Sequence, residues 1–189
     1  MRNLIFAINL TIDGCCDHTK MIVDEEILEY HTNLVRDADL LVYGRKTYQL
    51  MVPYWPDMAK NPSGQTKAGN EFAQAFDSIN KIIVFSKTLD KADGNSTEIV
   101  RTNLKDEILK LKQEQGKYIL TGGADIPSQL IELGLVDEYH IVVHPVIAGE
   151  GRRLMEGTGL QEKLRLKLVD SETFRSGGIA LHYRLDFNQ

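Results

Sequence analysis

The chain is short of cysteine, of positive charge and of long apolar runs, and each shortage removes a class of protein. Its only cysteines are the neighbours Cys15 and Cys16. Adjacent residues cannot close a useful loop on each other, and without a second pair there is neither a disulfide framework nor a zinc ribbon. A reducing, cytoplasmic compartment is therefore expected. Cys15, Cys16 and His18 lie close together, but three soft ligands without a fourth at the usual spacing do not make a metal site, and no metal is expected. Lys and Arg number 22 against 27 Asp and Glu, a net charge of −5, which excludes a broad phosphate-binding surface and with it a nucleic-acid partner. No stretch approaches the roughly 18–20 apolar residues of a bilayer-spanning helix. The apolar run after Arg2 is broken by Asn3, Asn9 and Asp13 with no cleavage site behind it, so it does not read as a signal peptide, and no membrane partner is expected. Three catalytic signatures are also missing: G-x-G-x-x-G after a strand, G-x-x-x-x-G-K-[ST], and G-x-S-x-G.

What remains is an ordinary globular composition, 42% hydrophobic and 26% charged over 189 residues, which fits one domain spanning 1–189. Short, nearly continuous apolar runs at Leu4–Leu10, Leu40–Tyr43, Lys81–Phe85, Tyr118–Leu120 and Tyr139–Val143 predict strands buried on both faces, which requires helices on both sides. A short strand is expected around Glu98–Val100 after an Asp93-Gly94-Asn95 turn. Helical periodicity predicts helices over about 25–36, with Asp24 as N-cap, and again after Leu104 and Ile126, closed by Gly116 and Gly134. Residues 53–70 hold Pro53, Pro56, Pro62, Gly64 and Gly69 and read as a surface excursion and mobile lid. Alternation in Leu164–Leu168 and Ile179–Phe187 around Ser176-Gly177-Gly178 predicts an antiparallel hairpin. The sum is an α/β domain with an eight-stranded, mostly parallel sheet and an antiparallel C-terminal hairpin.

In such a sheet ligands bind beyond the carboxyl ends of the strands. Gly44 and Gly122-Gly123 stand there, and glycine lets the backbone approach a phosphate while Arg45, Lys46 and Lys87 supply countercharge. A phosphate-bearing ligand lying across two strand ends is the expectation.

Taken in order, Asn9-Leu10-Thr11-Ile12-Asp13-Gly14, Asp39 to Tyr48 with Gly44-Arg45-Lys46-Thr47, Ile82 to Lys87, Leu120-Thr121-Gly122-Gly123, and Asp137 to Pro145 with Gly149 and Gly151 resemble the dihydrofolate reductase superfamily. The likeness is strongest to the reductase domain of the bifunctional riboflavin-biosynthesis deaminase/reductase. It implies a dihydrofolate-reductase-like three-layer sandwich, an NADPH cofactor, a homodimer, and hydride transfer to a small pterin-like or pyrimidine-like substrate. The alternatives are the riboflavin-pathway aminouracil-phosphate reductase itself, or a non-catalytic nucleotide-binding module of the same fold. By the same resemblance, Gly44, Arg45, Lys46 and Thr47 would meet the pyrophosphate and adenosine phosphate, and Ser86 and Lys87 the ribose 2′-phosphate. Gly122, Gly123, Ala124 and Ile126 would wrap the pyrophosphate and nicotinamide side, with Ala7 and Ile8 flanking the ring.

The substrate side is less clear. The superfamily's acidic residue in the first long helix has only Asp24, Glu25, Glu26 and Glu29 to match it, and the riboflavin enzymes' Asp-x-Pro-x-Leu-Thr stretch is replaced by Val52-Pro53-Tyr54-Trp55-Pro56. The catalytic group is unassigned, with Asp13 and Glu25 as candidates; Asp13, Tyr48 and Trp55 are candidate substrate contacts. His140 is expected in a core wall and His144 at a dimer contact.

Overall fold

The computed structural model describes residues 1–93, 96–160 and 162–186. Its centre is a sheet of eight strands in the order β4-β3-β2-β5-β1-β6-β8-β7. The strands are β1 (Leu4–Thr11), β2 (Ala38–Gly44), β3 (Lys81–Phe85), β4 (Thr97–Val100), β5 (Tyr118–Thr121), β6 (Glu138–His144), β7 (Leu166–Thr173) and β8 (Ile179–Leu185). The first six run parallel, whereas β8 is antiparallel to both β6 and β7. Phe187 and the Gly94-Asn95 half of the expected turn lie outside the described residues.

The apolar runs are continuous because successive side chains enter two different cores. Leu4, Phe6, Ile8, Leu40, Val42, Ile83 and Ile119 pack on one face against Ile108 and Leu111 of α5 (Leu104–Gln113) and Leu130 and Ile131 of α6 (Asp125–Glu132). Ile5, Leu41, Tyr43, Ile82, Val84 and Leu120 pack on the other. There they meet Val35 of α1 (Glu25–Asp37), Tyr48 of α2 (Arg45–Met51), and Phe72 and Phe76 of α4 (Lys67–Asp77). Asp24 caps α1 as expected, its carboxylate accepting the Ile27 N–H at 2.8 Å.

The stretch read as a loose lid is a correction. Residues 54–60 form α3 (Tyr54–Lys60), α4 begins at Lys67, and of 53–70 only 61–66 connect the two as exposed coil. The prolines sit where a helix tolerates them: Pro53 is the N-cap of α3, Pro56 lies in its first turn where no N–H is needed, and Pro62 follows its end. Thr66 caps α4 by accepting the N–H of Gly69, which is itself buried. The last hairpin begins later than its leucines suggest, with β7 spanning Leu166–Thr173 and a register shift between Leu168 and Asp170 that marks a bulge at Val169. No helix among the described residues is long and apolar enough to cross a membrane.

Candidate active site

Three segments meet where β1, β2 and β5 end, and glycine is what lets them meet. A Cβ on Gly123, where φ is +85°, would stand 2.1 Å from Thr47 Oγ1; on Gly44 it would stand 3.0 Å from Ile126 Cγ1, and on Gly122 3.4 Å from the Ala7 carbonyl oxygen. The backbone after β5 therefore lies directly on the start of α2 and beside β1. Between them is a cleft of about 140 Å³ lined by Gly44, Arg45, Lys46, Thr47, Phe85, Asp125 and Ile126. Neither helix opening on this region carries a side-chain cap: Gly44 and Ala124 are the N-caps of α2 and α6 and make no capping hydrogen bond. Their first N–H groups are left for a ligand or water.

Charge points the same way. Among the described residues Arg45, Lys46 and Lys87 have no ion pair or side-chain hydrogen bond, although the chain forms thirteen ion pairs elsewhere. Ser86 Oγ accepts the N–H groups of Thr88 and Leu89 at 3.2 and 3.0 Å, so its hydroxyl holds the turn that exposes Lys87. Asp125 is the one acidic residue in the cleft wall, and Arg152 reaches it at 2.5 Å. Arg152 was not singled out by sequence; its proximity depends on a loop that returns after β6. Ile8 is not among the residues lining the cleft; its side chain enters the core beside Phe6, against which the cleft residues Phe85 and Ile126 also pack. Ala7 faces the α1 side.

The candidate substrate contacts separate. Tyr48 is 2% exposed, and its hydroxyl accepts the Asp93 N–H at 2.7 Å and donates to the Asp93 carbonyl at 3.1 Å. It anchors the loop after β3 and has no face free for a ring. Trp55 packs on Phe72 with ring centroids 4.4 Å apart and on Tyr54 at 4.9 Å, and it keeps part of its surface in solvent. Asp13 accepts from Thr11 Oγ1 at 2.6 Å and from the N–H groups of Ala148 and Gly149, both at 3.0 Å, with Arg153 3.6 Å away. The Thr11 bond leads in pulling its pKa down from 3.8 to about 2. A carboxylate so held has no proton to give near neutrality, so Asp13 ties two loops together and the idea of it as an acid is corrected. Glu25 is exposed in the first turn of α1, where acidic residues favour the helix dipole.

Sequence reasoning overlooked a polar cluster on the α1 face at the carboxyl end of β1. The Asn9 side-chain amide lies 3.1 Å from His31 Nε2 and 3.0 Å from His144 Nε2, and His144 Nδ1 lies 3.1 Å from the Ile22 carbonyl. Burial lowers the pKa of both rings, His31 to about 4, so both are neutral. Both Nε2 atoms face Asn9 Oδ1, which only accepts, so His31 donates its Nε2–H there, and a neutral His144 has one proton to share between the Ile22 carbonyl and Asn9 Oδ1. His144, fully buried, is part of this network and not a surface for a dimer contact, while His140 lies in a wall as expected, 8% exposed. Only the even spacing of Asn9 with Ala7 and Thr11 on one strand face signals the cluster in advance.

The eight-stranded sheet with its antiparallel C-terminal pair is a fold of the dihydrofolate reductase type, with a glycine-tightened cleft at its strand ends. The family model of the RibD C-terminal domain matches residues 2–180, and the chain belongs to that family. It is 34% identical over 186 residues to YyaP of Bacillus subtilis (strain 168), covering 96% of this chain and 94% of that one. Among solved structures it is similar to the diaminohydroxyphosphoribosylaminopyrimidine deaminase/5-amino-6-(5-phosphoribosylamino)uracil reductase of Thermotoga maritima, with a TM-score of 0.68 at 16% identity over 98% of this chain and 57% of that one. It is also similar to Enterococcus faecalis dihydrofolate reductase complexed with NADP(H), with a TM-score of 0.63 at 13% identity over 97% and 96%.

Proposed function

We propose that the chain is an NADPH-dependent reductase acting on a small pyrimidine-like or pterin-like heterocycle. The observation that carries this reading is the convergence of Gly44, Gly122 and Gly123 on a cleft whose cations, Arg45 and Lys46, have no side-chain partner among the described residues. A dinucleotide fits that chemistry: the glycines admit a pyrophosphate, uncapped helix N–H groups face it, and Arg45, Lys46 and Lys87 offer countercharge for a further phosphate. NADPH, when bound, supplies the hydride.

The protein's own part is positioning. Ala7, small and on the α1 face, leaves room beside β1 for a flat ring, and Asn9 and His31 offer fixed polar groups two residues and one helix away. Because Asp13 is held ionised and His31 neutral, neither stores a proton near pH 7, and the proton that accompanies hydride comes from water admitted to this end of the sheet.

Titration with NADPH and NADH, followed through quenching of Trp55, the sole tryptophan, tests the cofactor assignment. Arg45→Glu and Lys87→Glu are each expected to weaken NADPH roughly 10–100-fold and NADH by less than about threefold, since only one carries the 2′-phosphate. Equal losses overturn the phosphate assignment. Oxidation of bound NADPH by aminouracil ribosyl phosphates or dihydropterins then identifies the acceptor.

A further inference from the structure

We propose that Glu138, His140 and His182 form a binding site for one divalent first-row transition cation, with Zn2+, Co2+ and Ni2+ as the fitting class. Glu138 and His140 are two residues apart on β6 and so share a face, and the β6–β8 register places His182 directly opposite His140. One carboxylate and two imidazoles thus stand on paired strands, with their ligand atoms all within 4.8 Å of one another. Oxygen and imidazole nitrogen together suit these cations.

Each of two ligands is already oriented by an outer partner, as metal ligands usually are. Tyr30 holds His140 Nδ1 at 2.6 Å, which leaves Nε2 free. Asn3 at 2.8 Å and Arg184 at 3.3 Å both bond Glu138 Oε1, which turns Oε2 toward His182 Nε2 at 2.7 Å. That last hydrogen bond marks the place of the cation: a metal there displaces the proton between the two atoms. The two imidazoles stack face to face at 4.1 Å and 19°. Two ligands on one metal at 2.0–2.2 Å stand about 3–4 Å apart. The rings reach that spacing by turning about Cβ–Cγ, which is open to the His182 side chain at 18% exposure. The bulge at Val169 brings Asp170 opposite His182, adding a second carboxylate in the same cross-strand row toward the open edge.

Glu138 opens β6, so the cluster lies roughly 13–20 Å along the strand from its carboxyl end, and the cation clamps β8 to β6 without entering the cofactor cleft. The test is calorimetric titration of the untagged, chelator-treated protein with Zn2+, and with Co2+ read by its visible spectrum. One equivalent is expected, with a melting temperature about 5–10 °C higher at a hundredfold excess over Kd. His182→Gln and Glu138→Gln should weaken binding at least tenfold. Cys16→Ser and His18→Ala, which disrupt the other group of soft ligands, should leave it within twofold. Absence of saturable binding, or loss on Cys16→Ser with retention in His182→Gln, overturns the proposal. If either cluster variant does not fold, the long-range proton–nitrogen spectrum of the wild-type imidazoles decides: Zn2+ must shift His140 and His182 and spare His18 and His144, and any other pattern overturns it.

Discussion

Gly123→Ala measures how tightly the end of β5 lies on α2. Two separate costs arise. At φ +85° an alanine occupies the left-handed region, worth about 1–2 kcal/mol. Its Cβ also arrives 2.1 Å from Thr47 Oγ1 and 3.3 Å from Thr47 Cβ, so the α2 start must move away, worth about 1–3 kcal/mol as for other overpacked sites. A sum near 3 kcal/mol lowers the melting temperature by about 6–12 °C in a chain of this size. Cofactor affinity falls as well, because the displaced residue lines the cleft. Thr47→Ala removes the offending oxygen and leaves only the 3.3 Å contact, so it should relieve the steric part while the backbone part persists. In a double-mutant cycle of Gly123→Ala and Thr47→Ala, followed by thermal and urea unfolding, the coupling should be about 1–3 kcal/mol in the direction of rescue. Additivity within about 0.5 kcal/mol would refute the close approach, and with it the claim that glycine at 123 answers to Thr47.

Three further outcomes follow from the same geometry. Asp125→Asn removes the only negative side chain in the cleft wall and frees Arg152, so NADPH should bind roughly threefold tighter at low salt, with the gain shrinking as salt rises; weaker binding would mean that Asp125 itself holds the ligand. Asp13→Asn should be destabilising near neutrality. Because the folded-state pKa is depressed from 3.8 to about 2, the aspartate's advantage is present above pH 3.8 and lost as pH falls toward 2, so the two melting curves should converge there. His31 is depressed from 6.5 to about 4, so the unfolded chain takes up a proton that the folded one refuses, and stability drops by about 1.4 kcal/mol per pH unit from this ring as pH falls from 6.5 to 4. His31→Gln keeps an amide for Asn9 and should flatten that slope; an unchanged slope would place the titration elsewhere.

The sheet was legible because burial on both faces writes itself as unbroken aliphatic runs, and the cleft glycines because they follow those runs directly. The α3–α4 region was not, since Pro53, Pro56 and Pro62 look alike whether they interrupt a helix or stand at its permissive ends. Only the packing of Phe72 and Phe76 beside Trp55 decides for helix. Tyr48 and Asp13 were misassigned for a related reason: apart from Thr11 beside Asp13, the partners that hold them, Asp93 and the Ala148–Gly149 amides, are 45 and 135 residues or more away, and local pattern carries no trace of these. Both histidine clusters were hidden in the same way, since strand register joins Glu138, His140 and His182, and the packing of α1 brings His31 to Asn9.

Strand β1 has its neighbours far downstream. Leu4 is paired with Ile119 of β5 and Ile5 with Glu138 of β6, separations of 115 and 133 residues. During synthesis at about 5–20 residues per second, this apolar strand leaves the ribosome roughly 7–27 s before its β6 partner exists. This strand is thus the first of the eight to be made and waits for most of the chain before it is enclosed, inserted between two late arrivals. Until then its aliphatic row is a site for chaperones or for the same strand of another nascent chain, and crowded expression of this protein meets its hazard there.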